Sequence, residues 1–222
     1  KLDIYPFEPI CVFLAKATDR PVKLVFSREE EFVVSPTRQP VLLRLRSGAK
    51  KDGTLTFRVC ETLHDNGAYT SWGATTPFVM MQTISSLYRV PHCRYHTTAV
   101  YTNNPYAGSF RGYGNLQATF AVEQHMDKLA EAIGMDPLAF RLKNAQDAGE
   151  VTPQGMHFKS CGLKECLTTA AEASGFLAKT KANAAERGKP GRFKRGIGIA
   201  SMLHVGGGAK IYPSNGCGTI LK

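Results

Sequence analysis

The spacing of apolar residues predicts helices at the start of the chain, before a change to strand-like alternation near residue 40. An apolar stretch at residues 7–18 has the length of a helix. The next segment, Pro21–Phe26, is rich in β-forming residues, which predicts a short extended run. Ser27 followed by Glu30 matches a capping box, which predicts a brief helix through Phe32.

A period of two begins after residue 40 and predicts a β-hairpin. Residues 41–46 alternate along the first strand, and Lys51-Asp52-Gly53 then turns the chain. A third strand is predicted over Tyr95–Tyr101, where threonine and valine favour an extended backbone. The second strand of the hairpin is expected to contribute Leu55, Phe57 and Val59 to a buried face.

Helical spacing then dominates the rest of the chain. Apolar residues recur every three or four positions over 115–133, and Gly134 is the expected C-terminal stop. Asp136-Pro137 is expected to begin another helix, which ends at Asn144. Further helices are predicted at 77–87, 163–173 and 177–187, and further strands at 197–205 and from Gly218. This mixture predicts an α+β fold with mixed sheets and packed helices, divided into residues 1–148 and 149–222.

Composition excludes several classes of protein. The chain is 43% apolar, but no apolar run approaches the roughly 18 residues needed to cross a bilayer, and the N-terminus lacks a signal-peptide layout. A soluble cytoplasmic protein without a membrane span is therefore expected. The net charge of +10 is spread, and its densest cluster, at residues 179–195, has the composition of a solvated connector. A nucleic-acid-binding module is a minor alternative, and attraction of an acidic partner or an anionic substrate is another.

The cysteines and histidines do not have the spacing of metal ligands. The six cysteines include no Cys-x-x-Cys pair, so neither a zinc knuckle nor an iron–sulfur run is predicted. A disulfide or metal role for Cys161 and Cys166 remains a minor alternative. His92 and His96 lie in a segment predicted to be extended, where a spacing of four separates side chains by roughly 13 Å.

The segment Ala-Gly-Ser-Phe-Arg-Gly-Tyr-Gly-Asn-Leu-Gln, residues 107–117, carries the most specific chemistry. Its glycines allow a ligand to approach the backbone closely, and Arg111 offers a fork of donors to an oxygen or phosphate. The helix predicted to follow directs unpaired N–H groups at the same place. We therefore predict a site for a large anionic or planar ligand. From the loop alone, a tight turn with a surface arginine is an equally good interpretation.

The flanking segments decide between these interpretations. Residues 88–105 and 121–145, together with 20–32 and 161–167, closely resemble the large molybdenum-binding subunit of the xanthine dehydrogenase and aldehyde oxidase family, the molybdenum hydroxylases. The resemblance extends over essentially the whole chain. It implies a molybdenum ion held by the dithiolene of a pyranopterin, as molybdopterin or its cytosine dinucleotide form. It also implies three partners: the remaining part of the molybdenum subunit, an iron–sulfur subunit with [2Fe-2S] clusters, and an FAD subunit.

The resemblance also assigns roles to residues of the loop. It places Phe110 and Arg111 against the cofactor, with hydrogen bonds from the backbone of Ser109 to Gly112, and Tyr113 against the substrate ring. No catalytic residue or protein metal ligand is expected in this chain, because the family's catalytic glutamate lies in a distal part that it lacks. Residues 1–148 would be part of the first molybdopterin-binding domain, and 149–222 a helical connector and the start of the second.

Departures from the family's purine-oxidising members point to other substrates. Those members have a glutamate and an arginine where this chain has Leu2 and Val79, and Gly208 falls near the place of a second ring-clamping aromatic. A more open and apolar substrate site would suit an aldehyde, an N-heteroaromatic compound or an aromatic acyl-CoA. The sequence therefore predicts part of an oxidoreductase that uses water-derived oxygen and is inactive as this chain alone. The ends of the chain suggest a fragment or a split subunit. A non-catalytic scaffold or assembly subunit is the alternative.

Overall fold

A computed structural model of the protein describes residues 7–186 and 188–204, and within them the predicted α+β fold is confirmed. Ten regular elements and one 3₁₀ turn, Trp72–Ala74, follow one another. They are α1 (Phe7–Thr18), α2 (Arg28–Val34), β1 (Val41–Ala49), β2 (Leu55–Asp65), α3 (Thr76–Ser86), β3 (His92–Val100), α4 (Asn115–Ala132), α5 (Pro137–Asn144), α6 (Leu163–Ser174) and α7 (Phe176–Ala185). None of the helices in the described ranges is long and apolar enough to span a membrane.

The three strands form one sheet in the order β1-β2-β3. A short turn, closed by a hydrogen bond from the Gly53 amide to the Lys50 carbonyl, joins β1 to β2 as the predicted antiparallel hairpin. The strand β3 runs parallel to β2, because Thr62 contacts Thr97 and the Asn66 amide donates to the Val100 carbonyl. The sheet is therefore mixed, and α3 provides the crossover that a parallel pair requires.

Local signals located most helix ends correctly. The capping box before α2 is present, with both hydrogen bonds between Ser27 and Glu30, and the helix extends two residues beyond the predicted Phe32. Asp136 accepts hydrogen bonds from the amides of Leu138 and Ala139 at the start of α5. Gly134 follows the end of α4 with a φ of 71°, in the left-handed region expected of a C-terminal stop.

Two predicted strands are wrong. The run Pro21–Phe26 forms no strand; instead, the Phe26 ring packs edge-on against Phe7 with ring centroids 4.5 Å apart. Residues 197–204 also form no strand, and Ile197 and Ile199 pack against the apolar cluster of α5, α6 and α7. Val205 and the strand predicted from Gly218 lie outside the described residues.

The predicted buried face of β2 is wrong beyond Leu55. Phe57 is 42% exposed, and its ring lies over Gly48, where an added Cβ would lie 2.4 Å from the ring. The buried side chains of the strand after Leu55 are polar or small: Arg58, Cys60, Thr62 and His64. Hydrogen bonds replace apolar contact on this face, which is why hydrophobic periodicity did not identify it.

The chain divides into two compact units. Of the described residues, the first unit contains 7–44, 61–80 and 96–117, and the second contains 45–60, 81–95 and 118–204 except 187. The core of the second unit includes a buried ionic network. Arg141 donates to the Glu123 carboxylate at 2.8 Å and to Asp127 at 2.6 Å, and the Tyr88 hydroxyl donates to Glu123 at 2.6 Å.

This network predicts unequal effects for two cations on the same helix. The Arg141→Met variant should lose about 3–5 kcal/mol of unfolding free energy, because it leaves Glu123 buried without its cationic partner. The Lys143→Met variant should lose less than about 1 kcal/mol, since the ion pair of Lys143 with Asp52 is exposed to solvent. Urea unfolding of both variants tests the difference, and equal losses would contradict the structural role of the network.

Candidate functional site

The candidate site lies in the first unit, on the loop that leads into α4. Ala107 forms a parallel bridge with Thr37, and a tight turn over 111–114 then leads directly to Asn115. Three consecutive residues of the turn are left-handed, with φ values of 90° at Gly112, 50° at Tyr113 and 93° at Gly114. A tyrosine in this region is uncommon and persists only where its surroundings fix it, as is typical of functional sites.

The two glycines of the turn have different roles. A Cβ added to Gly114 would lie 2.7 Å from Thr76 Cγ2 and 2.8 Å from Met80 Cγ, so the loop packs closely against α3 at this point. A Cβ added to Gly112 would have no heavy atom nearer than 3.8 Å. Gly114 therefore allows the loop to pack against α3, whereas a side chain at Gly112 would meet no steric clash with the protein.

The donors of the loop suit an anionic ligand. In the described part of the chain, the backbone amides of residues 109–112 donate no hydrogen bond. The side chain of Arg111 is exposed, and it has no carboxylate partner within the described residues. Four consecutive N–H groups beside a guanidinium bind oxygen atoms or phosphate, and such a donor set does not coordinate a metal cation.

A second cation, which the sequence did not reveal, lies beside the loop. Arg38 donates from Nη2 to the carbonyl oxygen of Arg111 at 2.8 Å. Burial, and secondarily the charge of Arg111, lower the pKa of Arg38. Arg38 lies between α2 and β1, 73 positions from Arg111, and no local pattern marks it as a partner of the loop.

The aromatic side of the site contains another unpredicted residue. The indole of Trp72 meets the Tyr113 ring edge-on, with centroids 6.3 Å apart and planes at 73°. Val79 lies on α3 next to Met80, which packs against Gly114, and its side chain is buried in the core. Leu2 and Gly208, the other residues predicted to line the substrate, lie outside the described residues.

A buried histidine, His64, contacts Gln39, the residue that follows Arg38. The His64 ring contacts Gln39 Oε1 through Nδ1 at 3.0 Å and Thr62 Oγ1 through Nε2 at 2.9 Å. In the neutral tautomer with its hydrogen on Nδ1, the ring donates to Gln39 Oε1. Burial lowers the pKa of His64 to about 4, so the ring is neutral at physiological pH.

Protein metal ligands do not gather in the described ranges, where no group of three or more His, Cys, Asp or Glu side chains could hold an ion. His92 and His96 lie on β3, in the extended conformation that was predicted for them. The described cysteines, which include Cys161 and Cys166, are free thiols.

The packing of the turn predicts a difference between its two glycines. The Gly114→Ala variant should be destabilised by more than the Gly112→Ala variant, although both replace a left-handed glycine. The backbone cost of about 1 kcal/mol is common to both, and only the methyl group at 114 meets Thr76 and Met80. Chemical unfolding measures the difference; losses that are equal, or larger at Gly112, would contradict this packing.

The low pKa of His64 predicts a loss of stability in acid. The unfolded chain binds a proton at this ring below a pH of about 6.5, whereas the folded chain does so only near pH 4. The stabilisation is complete above pH 6.5, and about 2 kcal/mol is lost between pH 7 and 5. We expect the difference in unfolding free energy between these pH values to shrink by that amount in His64→Asn. It should not shrink in His92→Asn, whose histidine is exposed on β3; equal pH dependence in both variants would contradict the assignment.

Comparison with known proteins identifies the family to which this site belongs. Residues 1–145 match the molybdopterin cofactor-binding domain family. The chain is 41% identical over 165 residues to the nicotinate dehydrogenase large molybdopterin subunit of Eubacterium barkeri, which covers 73% of this chain and 38% of that subunit. It is 36% identical over 202 residues to the xanthine dehydrogenase molybdenum-binding subunit of Escherichia coli O157:H7, covering 89% of this chain and 26% of that subunit.

A solved structure shows the same relationship. The chain superposes on the aldehyde oxidoreductase from Desulfovibrio gigas with a TM-score of 0.69 and 34% identity, covering 77% of this chain and 19% of that chain. This chain thus spans 38% and 26% of the length of the two curated relatives above. The resemblance inferred from the loop and its flanks is confirmed: the chain belongs to the molybdopterin cofactor-binding domain family found in the molybdenum subunits of xanthine dehydrogenases and aldehyde oxidoreductases.

Proposed function

We propose that this chain is part of the molybdopterin-binding catalytic subunit of a cytoplasmic oxidoreductase that hydroxylates or dehydrogenates a small planar substrate. Residues 1–148 are a portion of the first molybdopterin-binding domain, and 149–222 connect it to the start of the second. The cofactor is a molybdenum-pyranopterin, either molybdopterin or its cytosine dinucleotide form. The remaining part of the molybdenum subunit, an iron–sulfur subunit with [2Fe-2S] clusters and an FAD subunit complete the assembly.

The backbone amides of residues 109–112, which donate no hydrogen bond to any described residue, are the observation that carries this proposal. Ser109, Phe110, Arg111 and Gly112 present them at one turn, and the missing side chain at Gly112 allows a planar group to approach the backbone. The guanidinium of Arg111 supports an anionic group at the same place. When bound, the cofactor supplies a molybdenum centre that accepts electrons as water-derived oxygen enters the product. The residues of this chain bind and orient that cofactor and the substrate.

The substrate side of the proposed site is aromatic and apolar. We assign Tyr113 to the face of the substrate ring and Trp72 to the support of Tyr113, because the two side chains meet edge-on. With Leu2 and Val79 in place of charged residues, a purine would leave its polar edge without partners, at a cost of about 1–3 kcal/mol per group. Gly208 adds space. An aldehyde, an N-heteroaromatic compound or an aromatic acyl-CoA fits this site, and the relative from Eubacterium barkeri is named for nicotinate.

A non-catalytic scaffold is less well supported. Such a subunit would have no reason to keep Tyr113 in a left-handed conformation, which is costly for a residue other than glycine, beside an arginine that has no carboxylate partner among the described residues. The strained turn therefore favours a protein that still binds a ligand here.

Replacement of Arg111 tests the proposal in the intact complex. The Arg111→Ala variant should have a lower molybdenum-to-protein ratio than the parent, because a charge-assisted hydrogen bond to an anion contributes about 1.5–3 kcal/mol. Arg44→Ala is the matched control, since Arg44 is an exposed arginine of β1 in the same unit. Elemental analysis of the purified complexes gives the ratio.

Two outcomes would count against the proposal. An unsubstituted complex that contains no molybdenum would overturn the function itself. An Arg111→Ala complex with the molybdenum content and activity of the parent would overturn the assignment of this arginine.

A further inference from the structure

We propose that Arg38 is a positioning residue for the cofactor loop, and that it fixes the turn from which the amides of residues 109–112 face their ligand. This inference rests on the proposed function and extends it to a part of the chain about 70 positions away in sequence. All the residues concerned belong to the first unit. Three groups of contacts support the inference, and together they connect Thr37, Arg38 and Gln39 to residues 106–117.

Backbone hydrogen bonds form the first group of contacts. The amide of Thr37 donates to the carbonyl of Tyr106 at 3.3 Å, and the amide of Gly108 donates to the carbonyl of Thr37 at 3.2 Å. In the same segment, residues 106–108, the amide of Ala107 donates to the carbonyl of Asn66 at 3.0 Å. The chain is therefore fixed immediately before the turn, and Arg38 directly follows the residue that fixes it.

The side chain of Arg38 forms the second group of contacts. Its Nη2 donates to the Arg111 carbonyl at 2.8 Å, and its Nη1 donates to Gln117 Oε1, in the first turn of α4, at 3.2 Å. The same guanidinium lies over the Phe110 ring, with Cζ 5.1 Å from the centroid. One planar group thus contacts the loop in the middle of its turn and the helix that follows, which only the fork of an arginine can do at once.

Gln117 and Gln39 form the third group of contacts. The amide nitrogen of Gln117 donates to the Gln39 carbonyl at 3.1 Å, so Gln117 joins the side chain of Arg38 to the backbone of the next residue. Gln39 is only 2% exposed, and its side chain is held between His64 Nδ1 at 3.0 Å and Asn66 Oδ1 at 3.1 Å. The base from which Arg38 extends is therefore rigid, as a group that supports a binding site must be.

Arg38 forms no ion pair within residues 7–186 and 188–204, so no carboxylate of these residues neutralises its charge. Its hydrogen bonds go to a backbone carbonyl and an amide oxygen, which are neutral acceptors. The bonds therefore act on the position of the loop, and the charge adds to that of Arg111 in attracting an anion.

The test compares Arg38→Met and Arg38→Lys with the parent in the intact molybdenum-containing complex. Arg44→Met is the control, because it removes an exposed arginine elsewhere in the same unit. The measurements are molybdenum content, the Mo(V) electron paramagnetic resonance signal of the reduced enzyme, kcat and KM, and hydrogen exchange of peptides that cover residues 106–117.

We expect kcat of Arg38→Met to fall by about tenfold to 100-fold, because a small misplacement of a reacting group has effects of this size. Its Mo(V) signal should change shape, and exchange over 109–114 should be faster than in the parent. Arg38→Lys keeps the charge but makes one hydrogen bond at a time, so its values should fall between those of Arg38→Met and the parent. Arg44→Met should match the parent.

If Arg38→Met does not fold, Gln117→Leu provides the second variant, since it removes one acceptor of Arg38 and leaves the contact with the Arg111 carbonyl. It should alter the Mo(V) signal and exchange over 109–114 in the same direction. A parent complex that contains molybdenum, with variants that match it in all four measurements, would overturn this inference alone. A parent complex without molybdenum would overturn it together with the proposed function.

Discussion

The hydrogen bonds that fix residues 106–108 are the constraint on which the candidate site depends. Thr37 and Asn66 hold this segment through backbone groups, so the chain must turn within a few residues to begin α4 at Asn115. It does so through three consecutive left-handed residues, a conformation that glycine adopts at little cost and tyrosine at a larger one. The amides of 109–112 donate to no backbone acceptor among the described residues. The donor array is therefore a consequence of tertiary contacts as well as of loop sequence.

The parts of the fold that sequence predicted well are those determined by local chemistry. Ser27 with Glu30, Asp136 before Pro137, and Gly134 each act within one helical turn, and each lies at the end of a helix in the structure. A strand has no comparable local determinant, because its backbone must find a partner strand. The β-forming residues of Pro21–Phe26 have no such partner and form no strand. Propensity alone was therefore insufficient there.

The buried face of β2 was predicted wrongly because polar side chains are buried on it. The inward face of β2 carries Arg58 and His64, which are fully buried, and each is satisfied by hydrogen bonds: Arg58 donates to the Ile84 carbonyl and His64 contacts Gln39. A rule that equates burial with apolar character cannot find such positions. In the candidate site, too, sequence reasoning found the local feature and missed the residues that come from distant segments. The glycine spacing revealed the loop, whereas Arg38 and Trp72 reach it from distant segments and were not predicted.

The arginines at the loop lack the carboxylate partners that arginines of the second unit have, within the described residues. There, Arg141 is paired with Glu123, and Arg89 is paired with Asp147 and Glu150. At the loop, Arg38 and Arg111 are close enough for one to lower the pKa of the other, yet neither has a carboxylate partner among the described residues. Two unpaired guanidinium groups repel each other, and an anion between or beside them removes that penalty. The charge at the loop is therefore suited to an anionic ligand, as the proposed function requires. A cofactor whose metal is held by its own sulfur atoms makes no further demand on the side chains.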